Sequence, residues 1–384
     1  MSTGRTRRKR PPLRPVQPAQ RISVWWLMAG LLLLVALVVA ERMIPVALRP
    51  TPPPLRDGIV RVFFTTPTLV YPDIAEERVM PDYEAALVAD INAAQHQVDV
   101  AAFEYNLMSV AEALLHARKR GVLVRLALDR EVLHEPEMAL WAGLLEHAGI
   151  PIAWEDSTAF LHSKFLVIDH TLLWTGSWNV TNNGTYRNNN NLLRITLPPV
   201  VLNYTVEFEQ MFNNTFGNDK ITQTPFPLVE YGDRQIETYF APQDGVAVHV
   251  LERLERAQHS IRFLAFAFTS SDIAGAMIAR RQAGVLVQGV FERRNARGTG
   301  SVLSDLRGAG ATVYEDGNCY TMHHKVIIID EATVITGSYN FTGRAEDTND
   351  ENLLIIDDPL LAQQYIAEFE RVYAQAQEPM ECRW

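Results

Sequence analysis

The sequence predicts an α/β protein of two pseudo-symmetric halves, each a mixed sheet flanked by helices, with an N-terminal transmembrane helix before them. Three observations predict it. A segment that sets a histidine and a lysine two residues apart, His162-Ser163-Lys164, recurs as His323-His324-Lys325. Around both copies the chain repeats itself in the same order, with strand-like and helix-like stretches alternating. Residues 24–40 carry no charge, about 17 in a row, which is just long enough to cross a bilayer.

Residues 1–21 contain seven basic side chains (Arg5, Arg7, Arg8, Lys9, Arg10, Arg14, Arg21) and no acid. That block predicts a cytoplasmic tail, an anchor over 22–41 with Trp25 and Trp26 at the interface, and a body on the extracytoplasmic side of the cell membrane. A cleaved signal peptide is the alternative, because small residues stand at Val38-Val39-Ala40. Residues 42–57 read as a linker, stiffened by Arg49-Pro50-Thr51-Pro52-Pro53-Pro54. The chain carries −10 overall, so without the seven tail cations the remainder stands at −17. Such a body is a poor match to nucleic acid, whose binders work largely by neutralising phosphates. Two cysteines, Cys319 and Cys382, exclude a disulfide-stapled scaffold and a thiolate zinc cluster. They are expected as free thiols, with mutual pairing the alternative. No helical metal-ligand motif occurs, and no metal or cofactor is expected.

The first half is expected over 58–222 and the second over 223–384. Val60–Pro67 echoes Ile236–Pro242 as the opening strand of each. Amphipathic helices over Tyr83–Gln95 and Val246–Gln258 lead into inner strands at Val98–Phe103 and Ile261–Phe268. His96 and His259, at the ends of those helices, read as caps rather than ligands. Helices over Leu107–Arg120 and Asp272–Ala283 each stop before a glycine, and Gly121-Val122-Leu123-Val124 is matched by Gly284-Val285-Leu286-Val287. The order expected in each half is strand, helix, strand, helix, three strands, helix.

His323, Lys325, Ile327 and Ile329 share one strand face, and His324 points to the other, where a structural role is expected. An imidazole and an ammonium therefore converge on one spot. In both copies seven residues separate His from Asp (His162 and Asp169; His323 and Asp330), and seven more lead to Gly176-Ser177-Trp178-Asn179 or Gly337-Ser338-Tyr339-Asn340. Splitting a phosphodiester covalently needs a nucleophile, an acid for the leaving oxygen and donors around the phosphoryl oxygens. Two imidazoles can fill the first two roles near neutral pH. Lys164 and Lys325 would supply positive charge, and Asn179 and Asn340 neutral donors. Asp169 and Asp330, counted with the catalytic set, fall on the opposite strand face and would hold a histidine or a loop. Ser177 and Ser338 would either meet phosphate or close a turn. Aligning the Asn-Leu-Leu steps after each Gly-Ser-x-Asn sets Asn190 against Glu351.

The duplicated His-x-Lys-x4-Asp and Gly-Ser-x-Asn pattern resembles the phospholipase D superfamily across nearly the whole body from Val60. The resemblance implies a phosphohistidine intermediate and attack on it by water or an alcohol. By that analogy His162 is the nucleophile and His323 the acid, although the pseudo-twofold arrangement leaves the order exchangeable. It also implies that Glu351 braces one imidazole, a solvated acidic loop being the alternative; with Ser177 and Ser338 it is grouped as substrate-binding. The expected function is a membrane-anchored, metal-independent phosphodiesterase acting on phospholipid head groups or transferring phosphatidyl groups. An endonuclease acting on DNA or RNA is the alternative, and a non-catalytic module a third reading. With both motifs in one chain, a monomer would suffice. Head-group preference is expected to reside in loops such as 130–138 and 293–300.

Overall fold

The computed structural model describes residues 58–157, 159–379 and 381–382. The tail, anchor and linker expected over 1–57 lie outside them. Among the described residues no helix is long and apolar enough to cross a membrane.

The first half contains β1 (Val60–Phe64), α1 (Asp82–Ala93), β2 (Gln97–Ala102), α2 (Met108–Lys119), β3 (Leu123–Asp129), α3 (Pro136–His147), β4 (Ile152–Glu155), β5 (Phe165–Ile168), β6 (Leu172–Gly176), α4 (Asn182–Tyr186), β7 (Asn191–Ile195) and α5 (Pro198–Phe212). The second contains β8 (Leu228–Tyr231), β9 (Arg234–Ala241), α6 (Val246–Glu255), β10 (Ser260–Ala265), α7 (Ser271–Gln282), β11 (Leu286–Phe291), α8 (Arg293–Ala296), α9 (Leu303–Gly308), β12 (Thr312–Glu315), β13 (Lys325–Ile329), β14 (Thr333–Gly337), α10 (Gly343–Asp347), β15 (Glu351–Asp357) and α11 (Pro359–Gln377). The sheets run β1-β7-β6-β5-β2-β3-β4 and β12-β11-β10-β13-β14-β15-β9-β8. Within each, three strands are parallel (β2, β3, β4; β10, β11, β12) and the rest antiparallel, so both sheets are mixed.

The order is richer than expected. Strand β4 and the second half's α8, α9 and β12, of four to six residues each, are too short for the alternation to register, and helix α3 is outside the expected order although it is as long as α1. Strand β8 adds a hairpin to the second sheet alone.

The central strands are apolar on both faces, because each sheet is covered on both sides. Phe165 and Val167 of β5 face a core shared by the two halves, and Leu166 and Ile168 face the first half's own helices. In β13 Val326 and Ile328 join the shared core, and Ile327 and Ile329 the second half's. Helices α5 and α11 fill the shared layer with Tyr204, Phe208, Tyr365 and Phe369. The halves are therefore one compact unit rather than separate domains.

Where the sheets meet, polar contacts come in symmetric pairs. The Asn352 amide of β15 donates to Thr175 Oγ1 (2.9 Å) and Tyr204 Oη (3.1 Å) of the first half. Asn191 Oδ1 of β7 accepts from Thr336 (3.1 Å) and Tyr365 (3.3 Å) of the second. One pairing breaks the symmetry. Lys220, between the halves, is buried against Glu207 and, at 2.6 Å, Asp350.

The cysteines correct the expectation of free thiols: Cys319 and Cys382 form a disulfide, with Cα atoms 5.4 Å apart. Helix α11 brings the C-terminal segment back over the loop before β13, where a Cβ on Gly317 would strike Gln375 and Pro379 backbone. That return path is a tertiary feature with no local signal. The bridge spans a sequence separation of 63, and closing such a loop is worth about 4 kcal/mol. Cys382→Ser, or added reductant, should therefore lower Tm; an unchanged Tm would mean that the bond contributes nothing.

Candidate active site

The two His-x-Lys segments enter β5 and β13 at the edge where the sheets face each other, and each is positioned by the other half. The His162 backbone N–H donates to Asp350 O (2.9 Å), and that of His323 to Asn189 O (2.9 Å). The side chains repeat the exchange. His162 Nδ1 lies 2.8 Å from Glu351 Oε2, and His323 Nδ1 3.0 Å from Asn190 Oδ1. Both orienting groups are themselves held: Ser338 Oγ donates to Glu351 (2.5 Å), and Ser177 Oγ to Asn190 (2.9 Å). The same hydroxyls accept from the backbone N–H of Asn352 and Asn191. Glu351 thus stands where the bracing of an imidazole was expected, and Ser177 and Ser338, grouped with it as substrate-binding in the sequence, are buried behind the imidazoles. Each hydroxyl is engaged by the orienting side chain of its own half and by a backbone N–H.

Lys164 Nζ donates to His162 O (2.6 Å) and Lys325 Nζ to His323 O (2.9 Å). Phe103 and Phe266, at equivalent ends of β2 and β10, wall off the two pairs. Their ring centres lie 5.3 Å from His162 and 4.6 Å from His323, with the Lys164 and Lys325 ammonium groups over them at 5.6 and 4.5 Å. The pairs share one electrostatic space. Burial, and then the charges of Lys164 and Lys325, pull His162 well below the ordinary imidazole value. His323 is lowered by burial, both lysines and His162 itself. Burial also lowers Lys164 to about 8 and Lys325 well below the ammonium range, Lys325 being further depressed by Lys164. It raises Glu351 to about 7, with Lys164 pulling the other way. Once Glu351 has ionised, the His162 tautomer with its proton on Nδ1 donates to the carboxylate.

A cleft of about 390 Å³ opens over His323, Asn179, Glu104 and Arg294. Asn179 Nδ2 donates to Glu104 (2.5 Å), and the Oδ1 atoms of Asn179 and Asn340 are buried without a protein partner. Sequence reasoning missed Glu104, Phe103 and Phe266. Their signal was a shared place at the ends of matched strands.

Asp169 and Asp330 are corrected out of the site. Seven extended residues carry each roughly 20 Å from its histidine. They stand in hairpin turns at φ 51°, a left-handed conformation that Asp tolerates. Asp169 accepts from the backbone N–H of Gln95, His96 and Gln97 (2.7–2.8 Å), and Asp330 from those of Gln258, His259 and Ser260 (2.7–2.8 Å). Burial would raise both carboxyls, but these donors hold them below the usual range. They are clasps joining helix to strand. His324 is buried between Asn191 (3.1 Å) and Glu368 (2.9 Å), away from the cleft face.

A family model described as "Cardiolipin synthase, PLD-like domain" matches residues 87–212 and 250–373, one copy in each half. The chain is 36% identical over 141 residues to a phospholipase D of Rickettsia typhi, covering 37% of this chain and 69% of that protein. It is 34% identical over 145 residues to a mitochondrial cardiolipin hydrolase of Xenopus tropicalis, covering 38% and 69%. Among solved structures, phosphatidylserine synthase of Haemophilus influenzae superposes with a TM-score of 0.60 over 84% of this chain and 87% of that one; at 13% identity the likeness is one of fold.

Four outcomes are expected. With His323 as the acid and neutral in the free site, kcat/KM should fall as pH rises above about 7, where Glu351 is already ionised, and fall more steeply above about 8, where Lys164 loses its proton. Glu351→Gln should cost about 10–100-fold in activity. Lys164→Arg should remove the steeper part of the fall, since guanidinium stays charged. Asp169→Asn, by contrast, should leave kcat unchanged and show only as a lower Tm; a large loss of kcat with an unaltered Tm would return Asp169 to the site.

Proposed function

The chain belongs to the phospholipase D superfamily, and from that premise we propose that it is a membrane-anchored phosphodiesterase that cleaves phospholipid head groups through a phosphohistidine. One observation carries the assignment of roles: His162 faces a carboxylate, Glu351, and His323 faces a neutral amide, Asn190. A nucleophilic imidazole gains positive charge as it attacks, and a carboxylate on its far nitrogen stabilises that charge. An acid must give its proton away, and a neutral partner does not hold it back.

In the first step Nε2 of His162 attacks phosphorus. A P–N bond forms as the P–O bond to the head group breaks, and the leaving oxygen takes a proton from Nε2 of His323. That proton is present because the anionic diester, arriving beside His323, offsets the burial and the lysine charges that keep the imidazole neutral in the free site. In the second step His323 removes a proton from water, the oxygen attacks phosphorus, and the P–N bond breaks to free His162. An alcohol in place of water gives phosphatidyl transfer. Lys164 and Lys325, with the amides of Asn179 and Asn340, would hold the phosphoryl oxygens.

The lipid reading is supported by the acidic body, by the uncharged segment over 24–40 and by relatives whose names are those of lipid hydrolases. The disulfide supports an extracytoplasmic site, because such bonds persist in oxidising compartments.

With phospholipid labelled at phosphorus, His323→Asn should accumulate a labelled phosphatidyl group on His162 and His162→Asn should take up none. Head-group release should continue in EDTA. Label on His323, or full activity in either variant, would reverse or end the assignment; nicking of plasmid DNA without lipid turnover would replace lipid by nucleic acid.

A further inference from the structure

The halves differ most where the opening strand meets the first helix. Four residues, 242–245, join β9 to α6, and seventeen, 65–81, join β1 to α1. This excess chain carries Asp73, Glu76, Glu77 and Arg78, yet it also turns four apolar side chains outward: Val70, Ile74, Val79 and Met80 are 67%, 44%, 82% and 46% exposed. It is not loose. Asp73 takes a paired hydrogen bond from Arg78 (2.9 and 2.6 Å) and another from Arg187 (2.6 Å), and its backbone N–H donates to Tyr320 Oη (2.8 Å). Thus pinned, the segment arches over a cavity of about 650 Å³ backed by Phe63, Phe64, Tyr83 and Tyr186. That volume is within the roughly 300–1,000 Å³ of ligand sites and exceeds that of the catalytic cleft.

The two spaces share a wall. Asn183 and Asn188 line the cleft and Tyr186 the cavity, with Arg187 between them tied to Asp73. Tyr320, three residues before His323, holds the segment from the other side. The chamber is lined mainly by apolar side chains, with Asp73, Glu77, Arg78 and Asp82 also on its wall. Beside a phosphodiester cleft it fits a molecule with a charged diester at one end and a hydrocarbon at the other.

We propose that this cavity binds an acyl chain of the phospholipid whose phosphodiester lies between His162 and His323. The proposal rests on the lipid reading above and adds the subsite that recognises the tail. Its recognition is burial of methylene groups against Val70, Ile74, Val79 and Met80, without a polar contact to the tail.

The test uses the full-length chain and three substrates. These are dihexanoyl phospholipids with choline, ethanolamine or glycerol head groups below their micellar concentration, dioleoyl vesicles of the same head groups, and the water-soluble bis(p-nitrophenyl) phosphate. Ile74→Asp, and separately Val70→Trp to fill the space, should raise KM for the monomeric lipid about tenfold or more. Turnover of the small diester should not change, which also shows that the variants are folded. Wild-type KM for monomeric lipid in both variants would overturn the proposal. A loss confined to vesicles would also overturn it, making the segment a surface anchor. Cleavage of the small diester but of no phospholipid by the unaltered protein would instead overturn the lipid reading, and this subsite with it.

Discussion

Four basic groups, His162, Lys164, His323 and Lys325, occupy one buried space, and the site is built around making that tolerable. Charges taken from water are costly unless met by opposite charge, and an unmet one sheds its proton. The protein meets the cost only in part. Glu351 and Glu104 lie nearby, yet both imidazoles and both ammonium groups stay below their ordinary values. In the proposed reaction a phosphodiester anion would supply the missing negative charge, and its binding would restore the protons that the site otherwise sheds.

That arrangement needs two chain segments delivered to one point from opposite sheets. The exchange of Asp350 and Asn189 carbonyls for His162 and His323 amides fixes the approach, and the shared core behind it leaves the halves no freedom to separate. Within this near-symmetric frame, Glu351 against Asn190 is the difference that distinguishes the imidazoles chemically. Symmetry brings the groups together, and the departure from symmetry lets them do different work.

Much of this was legible in the sequence, for identifiable reasons. Strand periodicity placed His and Lys on one face and sent His324 to the other. Counting from Asn-Leu-Leu singled out Glu351, because duplication supplied an internal reference at Asn190. The same periodicity set Asp169 and Asp330 apart, but their identity as clasps required seeing three backbone donors converge on each. What could not be read depends on contacts between halves. Ser338 turns inward because Glu351 is there to receive it, and Cys319 meets Cys382 because α11 doubles back. Phe103 and Glu104 looked like the end of a strand, and became a wall of the cleft only once the opposing sheet was in place.

Lys220 has a consequence for the history of the molecule. A segment joining two duplicated units can ordinarily be exchanged for any spacer of adequate length. This one contributes a buried cation that stands between Glu207 and Asp350, and Asp350 also carries the carbonyl that seats His162. Without the cation, two carboxylates would face each other in the interior, a defect of about 3–5 kcal/mol. The tether has become part of the foundation, so a protein assembled by joining two copies can no longer be taken apart at the seam.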